Sequence, residues 1–406
     1  MQQISLTCYN NPMTTSTLAS PKSVDKTSTT TRIRSVDVVR GAVIVLMAID
    51  HVRVYSGLPP GGPEPGIFFT RWITHFCAPA FVFLAGTSAF LYGTKLDSKN
   101  ALARFLLIRG LMLVILELTL IRFFWTFNLN FDQFVLAGVI WMLGWCMILM
   151  SALIYLRPSI VGSIGIFVIV FQDLFSLAPK IIPQSAHKSF GYFWEFIYPS
   201  GLESWPGITI LYVLVPWVGV MATGYGFGRV MLLPHARRRR ICIWLGISAT
   251  LLFLVVESLF ILSGPSSPED PAFIFQLLNQ RKYPASQTYL LMTLGPTILM
   301  IGLVENARGW LAKSLETFGK VPMFYYLMHI LIIHLSALIV TLVREGKIFS
   351  EWYANAPYSF VPEEHRWPLA LLYLVFFIDI ILLHFICRWY AYYKFSHPQQ
   401  KWLKFL

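Results

Sequence analysis

The sequence is short of charged residues. Asp, Glu, Lys and Arg make up 13% of its 406 residues, against about a quarter in soluble domains. Disordered chains and ordinary soluble enzymes both need more polar sequences, so neither class fits. Apolar residues are abundant instead, since 56% are hydrophobic and 16% aromatic. This composition predicts a polytopic membrane protein, with some of the aromatic residues at the membrane interfaces.

Cysteine and acidic residues are also scarce. The five cysteines lie far apart and form neither a CxxC pair nor a zinc-finger spacing, which excludes a secreted disulfide scaffold and predicts no metal site. The 20 acidic residues against 32 Lys and Arg leave a net charge of +12. Soluble basic proteins often bind nucleic acid. In a membrane protein the excess is typical of cytoplasmic loops, so we predict no nucleic-acid partner.

Long apolar runs begin after residue 31. Residues 1–31 are rich in Ser and Thr and are predicted to be a disordered cytoplasmic tail. Residues 32–394 form the predicted transmembrane domain, and 395–406 a basic cytoplasmic tail. Runs of about 20 apolar residues span a bilayer as helices, which predicts an all-α polytopic membrane protein with about ten transmembrane helices. The predicted spans are 36–56, 71–93, 101–125, 133–156, 159–178, 207–232, 240–263, 287–304, 319–343 and 368–392.

Lys and Arg predict the orientation of the chain. The run HARRRR at 235–240 puts four arginines in a short loop, and such a loop rarely crosses a membrane. If this loop is cytoplasmic, ten spans place both termini in the cytoplasm. We predict a multi-pass protein of the bacterial cytoplasmic membrane. The outer loops, which suit either a substrate mouth or plain connections, are then 57–70, 179–206, 264–286 and 344–367.

Ionisable residues interrupt the predicted spans in their outer halves. Inside a membrane such residues are costly and mark functional sites, although each alone also fits a structural ion pair or a buried histidine. Their clustering at one depth favours a polar cavity that opens away from the cytoplasm, with histidines as bases near neutral pH. The set comprises Asp50, His51, Arg53, Arg71, His75, Glu117, Arg122, Glu257, His329 and His334.

A second group of charges, Arg40, Arg104 and Arg109, lies at the inner side. Positive-inside anchoring explains Arg104 equally well, but a recessed arginine such as Arg40 suits a phosphorylated ligand from the cytoplasm. Arg40 and His51 are 11 residues apart, which on a helix places them on one face, about 16 Å apart along the axis. This spacing predicts a site for one long ligand, such as a coenzyme A thioester.

Five segments carry a resemblance to a known family. They are RIRSVDVVRGAVIVLMAIDH (32–51), THFCAPAFVFLAGTSAF (74–90), VPWVGVMATGYGFG (215–228), KYPASQTYLLMTLGP (282–296) and GKVPMFYYLMHILIIH (319–334). In these segments and their order the chain resembles bacterial relatives of the heparan-α-glucosaminide N-acetyltransferase catalytic domain. The resemblance implies an integral-membrane acyltransferase that moves an acetyl group from cytoplasmic acetyl-CoA to an amine or hydroxyl of a sugar across the membrane.

The first helix, with its Arg-x10-His pattern, also resembles that of acyltransferase type 3 proteins. This likeness implies that Arg40 binds on the thioester side and that His51 is the base near the acceptor. Arg104 and Arg109 resemble an arginine pair of those proteins, with a wider spacing. In the animal lysosomal enzyme an asparagine takes the position of His51 and the catalytic histidine follows in the next loop. Loop 57–70 has no histidine, so the base is either His51 or His75.

We therefore predict an acyltransferase in which Asp50 or Glu117 orients His51, and His75 or Arg53 stabilises the oxyanion or binds the acceptor. Tyr283 also fits ordinary placement at the membrane interface. The residues predicted to bind coenzyme A are Arg40, Arg104 and Arg109. The residues predicted to bind the acceptor are Arg53, Arg71, Tyr283, Gln287, His329 and His334.

Two other functions stay open at this point. A proton-coupled small-molecule transporter would also place Asp, Glu and His in the outer half of the membrane. A non-catalytic membrane partner with a degenerate site is the second alternative. The predicted partners are the lipid bilayer, an acyl-CoA donor (acetyl-CoA, with no metal cofactor) and a carbohydrate acceptor. The sequence leaves open the acyl chain length and whether the protein is a monomer or a homodimer.

Overall fold

The helices follow the apolar runs of the sequence. The computed structural model describes residues 32–61, 64–131, 134–199, 205–265 and 267–404, so the predicted tail at 1–31 lies outside the described residues. From Ile33 onward they form one packed unit. Its α-helices are α1 (Arg34–Tyr55), α2 (Pro65–Trp72), α3 (Cys77–Gly93), α4 (Lys99–Leu116), α5 (Arg122–Thr126), α6 (Val139–Leu153), α7 (Pro158–Phe171), α8 (Ala178–Ile181), α9 (His187–Ile197), α10 (Leu214–Met231), α11 (His235–Ser263), α12 (Phe273–Leu278), α13 (Gln287–Leu303), α14 (Trp310–Lys320), α15 (Pro322–Glu345) and α16 (Leu369–Ser396).

The protein is an all-α polytopic membrane protein. The described residues include six helical segments that are long and apolar enough to cross a bilayer. The other predicted spans correspond to α1, to α4 with α5, to α6 and to α10, which are shorter or more polar. The six segments are Pro65–Gly93, Pro158–Ile181, His235–Ser263, Gln287–Asn306, Pro322–Glu345 and Leu369–Ser396.

The most polar of the predicted spans, α1, lies at the centre of the fold. It packs against α3, α13, α14, α15 and α16, and its charged residues Asp37 and Arg53 are buried. The outer faces of α11 and α16 expose large apolar side chains instead, such as Trp244 and Phe385. Charge therefore faces protein and apolar surface faces lipid, which is the arrangement that a bilayer requires.

Glycines bring α1 and α14 into close contact. A Cβ on Gly41 would lie 1.8 Å from the carbonyl oxygen of Leu315, and a Cβ on Gly319 would lie 1.9 Å from that of Asp37. A larger residue at either position would push the two backbones apart. The close approach lets the guanidinium of Arg40 donate to the carbonyl oxygen of Gly319, 3.0 Å away.

A short parallel ladder of two strands, β1 (Val135–Ala137) and β2 (Ile208–Ile210), adds a β element that the sequence did not predict. It joins the segment before α6 to the segment before α10. At the other end of the chain, α16 continues to Ser396 and a 3₁₀ turn follows at Lys401–Lys404. The predicted tail at 395–406 thus begins within the last turn of α16.

Candidate active site

Two histidines from distant parts of the sequence form the centre of the site. The Nδ1 atom of His51, on α1, lies 2.6 Å from the Nε2 atom of His329, on α15. The Nδ1 atom of His329 lies 3.1 Å from the backbone carbonyl oxygen of Tyr325. His329 is fully buried, whereas His51 is half-buried. The edge of the Trp125 ring packs against the His51 ring.

This geometry determines which nitrogens carry protons when both rings are neutral. A carbonyl oxygen only accepts, so Nδ1 of His329 must donate to Tyr325 and Nε2 of His329 must accept. Nδ1 of His51 then donates to His329. Nε2 of His51 is left with a lone pair, which is the form that a general base needs.

The carboxylates predicted to orient His51 have other partners. Asp50 forms an ion pair with Arg53 at 3.0 Å. Glu117 stands in a π-helical turn between α4 and α5, at Glu117–Ile121, and accepts hydrogen bonds from the backbone N–H groups of Gly138, Ile140 and Trp141 at the start of α6. Among the described residues, neither carboxylate hydrogen-bonds to His51. The hydrogen-bond partner of His51 is His329 instead.

His51 opens onto a cavity of about 670 Å³, which we call the histidine cavity. A second cavity of about 820 Å³ adjoins it, here called the side cavity. Arg71 and His75 line both of them. The predicted residues that line the histidine cavity are Asp50, His51, Arg53, Arg71, His75, Glu117 and Tyr283.

Three residues predicted to bind the acceptor lie away from both cavities. His329 is enclosed between His51 and Tyr325. His334 stacks on Phe127 and its Nδ1 lies 2.9 Å from a backbone carbonyl. Gln287 stands in the first turn of α13, where its amide donates to Asp173 at 2.8 Å. Local spacing does not reveal His51, Phe124 or Asp173 as partners, because each comes from a distant segment of the chain.

Lys282 and Arg366 also line the histidine cavity, and the sequence analysis missed both. Lys282 lies over the rings of Tyr212 and Tyr283, at 5.9 and 5.2 Å from their centroids. Burial alone would lower the pKa of Lys282, but Tyr283 and Asp50 outweigh it and raise this pKa above its usual value. The ammonium group is therefore charged at neutral pH. The sequence feature that came closest to indicating Lys282 was its neighbour Tyr283, which was predicted to bind the acceptor.

A groove of smaller volume, about 260 Å³, lies at the other end of α1, where Arg40 stands. We call it the arginine groove. Arg40 donates to Asp37, to Gly319 and to the hydroxyl of Ser88. Apolar side chains such as Phe81 and Met323 form much of the remaining wall. Its cationic lining consists of Arg40, Arg109, Lys320 and Lys394.

Arg104 lies outside the arginine groove, although it was predicted beside Arg109. The two residues are five apart on α4, which turns their side chains about 140° away from each other. Arg109 lines the groove, while Arg104 is exposed. Lys320 and Lys394 take part instead, and the sequence analysis missed them as site residues. Each stands in the last turn of its helix, α14 and α16, which was the available signal.

Tyr326 lines both the arginine groove and the histidine cavity. It stands one turn before His329 on α15, and the two rings meet edge to face with centroids 5.2 Å apart. The cavities at the two ends of α1 therefore approach each other beside the histidine pair. Sequence reasoning missed Tyr326, and its spacing from His329 was the only local signal.

Within the described ranges, no group of three or more His, Cys, Asp or Glu side chains is placed to hold a metal ion. The chemistry available to the site is that of an uncharged imidazole base, flanking cations and a phenol. These groups suit proton transfer and the binding of charged ligands.

Comparison with known proteins identifies the family. Residues 32–262 match the family model described as heparan-alpha-glucosaminide N-acetyltransferase, catalytic. The match covers more than half of the chain and includes Arg40, His51, His75 and Arg109, but it ends before His329, so it is shorter than the resemblance that extends to residue 334. Comparison with curated proteins gives no match for this chain. The chain belongs to the heparan-alpha-glucosaminide N-acetyltransferase catalytic family, a family of membrane acetyltransferases.

Proposed function

We propose that the protein transfers an acetyl or short acyl group across the membrane. The donor is acyl-CoA, bound in the arginine groove from the cytoplasm. The acceptor is a hydroxyl or amine of a sugar, bound in the histidine cavity on the opposite side. One observation carries the proposal: Tyr326 lines both cavities, beside the pair of His51 and His329. Membership of an acetyltransferase family supports the same chemistry.

The proposal includes ten transmembrane helices with both termini in the cytoplasm of a bacterium. Contacts at one end of the molecule support this orientation. Arg34, at the start of α1, donates to the carbonyl oxygen of Ala307 at 2.8 Å. Arg238, in the arginine run that begins α11, pairs with Glu305 nearby. The arginine run and the Arg40 end of α1 thus share one side, and a loop so rich in arginine favours the cytoplasm. The choice between a monomer and a homodimer stays a prediction.

The arginine groove suits the arm of coenzyme A better than the whole molecule. Its volume of about 260 Å³ is below the usual range for drug-sized ligands, about 300–1,000 Å³. Apolar walls such as Phe81 and Met323 fit a thin pantetheine chain. The cations Arg40, Arg109 and Lys320 would then bind phosphate groups at the mouth.

The reaction needs one general base, because the proton that this base removes from the acceptor is passed on to the leaving thiolate. The acceptor oxygen or nitrogen attacks the thioester carbonyl carbon while Nε2 of His51 removes its proton. The carbon–sulfur bond breaks, and the thiolate takes the proton from His51, so coenzyme A leaves as a thiol. The hydrogen bond to His329 stabilises the transient imidazolium of His51. The carbonyl lies beside Tyr326, whose phenol can donate to the developing oxyanion.

Donor binding can be tested with two arginines of the same helix. Arg109→Gln is expected to weaken acetyl-CoA binding at least about tenfold, because a hydrogen bond to a charged group contributes about 1.5–3 kcal/mol and 1.4 kcal/mol is tenfold in Kd. Arg104→Gln is the matched control and should leave the Kd unchanged, since Arg104 lies outside the groove. Calorimetry on the detergent-purified protein measures both values.

The outcomes separate the proposed function from its main rival. Equal losses in Arg104→Gln and Arg109→Gln would contradict the groove as the donor site. A folded wild-type protein that binds no acetyl-CoA, and releases no coenzyme A thiol in the presence of sugars, would favour the transporter. A transporter uses Asp, Glu and His for ion coupling and has no reason to cleave a thioester.

A further inference from the structure

The histidine cavity holds more positive than negative charge. Of its two carboxylates, Asp50 pairs with Arg53 at 3.0 Å, and Glu117 accepts from backbone N–H groups of α6 through one of its two oxygens. Beyond Arg53, its lining includes Arg71, Lys282 and Arg366, and of these three Arg366 pairs with Glu363 at 3.1 Å. A cavity with this balance attracts anions, and low-dielectric walls strengthen the attraction.

Arg71 stands where the histidine cavity and the side cavity join. The structure shows no hydrogen bond or ion pair between its guanidinium and any described residue. Guanidinium groups carry five N–H donors in a planar fork that matches a carboxylate or a phosphate. Leaving such a group unpaired in a half-buried position costs free energy, which an anionic ligand would recover.

A second unpartnered group, His75, lines the same junction. Only 3% of this residue is exposed, and neither ring nitrogen has a hydrogen-bond partner among the described residues. Buried polar atoms in native proteins are nearly always hydrogen-bonded. The charged ammonium of Lys282, on the wall of the same cavity, adds a third group that can bind a ligand oxygen.

We propose that the acceptor is an acidic sugar, whose carboxylate or phosphate is bound by Arg71 and Lys282 with a hydrogen bond from His75. Its reacting hydroxyl or amine then faces His51. This inference rests on the proposed function, because it names the acceptor class of the same site. A neutral sugar would leave the guanidinium and the imidazole without partners and is expected to bind more weakly.

Binding of matched sugars, measured without acetyl-CoA, tests the inference. Calorimetry compares galacturonate with galactose and glucosamine 6-phosphate with glucosamine, and shows whether a carboxylate or a phosphate is preferred. One acidic sugar is expected to bind about tenfold more tightly than its counterpart without the acidic group. Arg71→Gln and Lys282→Gln should each reduce that ratio severalfold. Arg281→Gln is the control, since Arg281 is exposed and pairs with Asp173 at 3.7 Å outside the cavity.

Each outcome bears on the inference or on the proposed function separately. Equal binding of acidic and neutral sugars, no binding of either, or a preference that survives both substitutions would overturn the inference. Transfer from acetyl-CoA to neutral sugars at the same rate would do so too, while leaving the proposed function standing. A preference for acidic sugars that depends on Arg71, without any acyl transfer, would support the anion site and contradict the proposed function.

Discussion

Substitution of His51 by Gln is expected to lower the rate of acyl transfer by about 10²- to 10⁴-fold, the usual contribution of a general base. Glutamine retains a polar side chain but cannot take a proton at neutral pH. The Kd for acetyl-CoA should stay unchanged, because His51 lines the histidine cavity and not the arginine groove. Release of coenzyme A thiol in the presence of acceptor gives the rate, and calorimetry gives the Kd.

His75→Gln decides between the two histidines that the sequence left open as the base. His75 lines the same cavity but has, within the part of the chain that the structure describes, no hydrogen-bonded partner that would fix its tautomer. We therefore expect its loss to raise the KM for the acceptor and to change kcat by only a few-fold. A large loss of kcat in His75→Gln, with near-normal turnover in His51→Gln, would transfer the role of base to His75.

The sequence alone predicts where the membrane helices lie and how Arg40 and His51 are placed relative to each other. Apolar runs predict where helices form, since length and hydropathy are local properties. The common face of Arg40 and His51 could be predicted because both residues stand on one uninterrupted helix, Arg34–Tyr55. The same local reasoning separates Arg104 from Arg109, since five residues along a helix turn a side chain to another face. This angle follows from the sequence alone, but the prediction that both arginines bind coenzyme A did not take it into account.

The partners of these residues could not be predicted in the same way. His51 and His329 are 278 positions apart, and only the packing of α1 against α15 brings them together. Lys282 and Arg366 lie in the loops before α13 and α16, and the path of these loops depends on tertiary contacts. Gln287 looked suitable at the start of α13, but that turn faces Asp173. Hydropathy predicts which segments lie in the membrane, and it leaves unspecified which face of each segment meets which neighbour.

His329→Ala is expected to lower kcat by about a hundredfold, while the KM of the acceptor stays near its wild-type value. Nε2 of His329 is the acceptor that holds the His51 proton on Nδ1. Without it His51 can take either tautomer, and the imidazolium formed in the reaction loses its partner. His329 is fully buried and is not part of the lining of the histidine cavity, so we expect it to position His51 and not to bind the acceptor.

His329→Gln should restore much of the lost kcat, because a glutamine amide can donate to the carbonyl of Tyr325 and accept from His51 through its oxygen. His334→Ala provides the control for a structural effect. His334 lies on the same helix, is equally buried and bonds to the carbonyl of Phe124 at 2.9 Å, but it does not contact His51. Its loss should lower the temperature of thermal unfolding and leave the pH profile of kcat unchanged. If His334→Ala and His329→Ala reduced kcat equally, or if glutamine gave no rescue, the role of His329 in setting the tautomer of His51 would be contradicted.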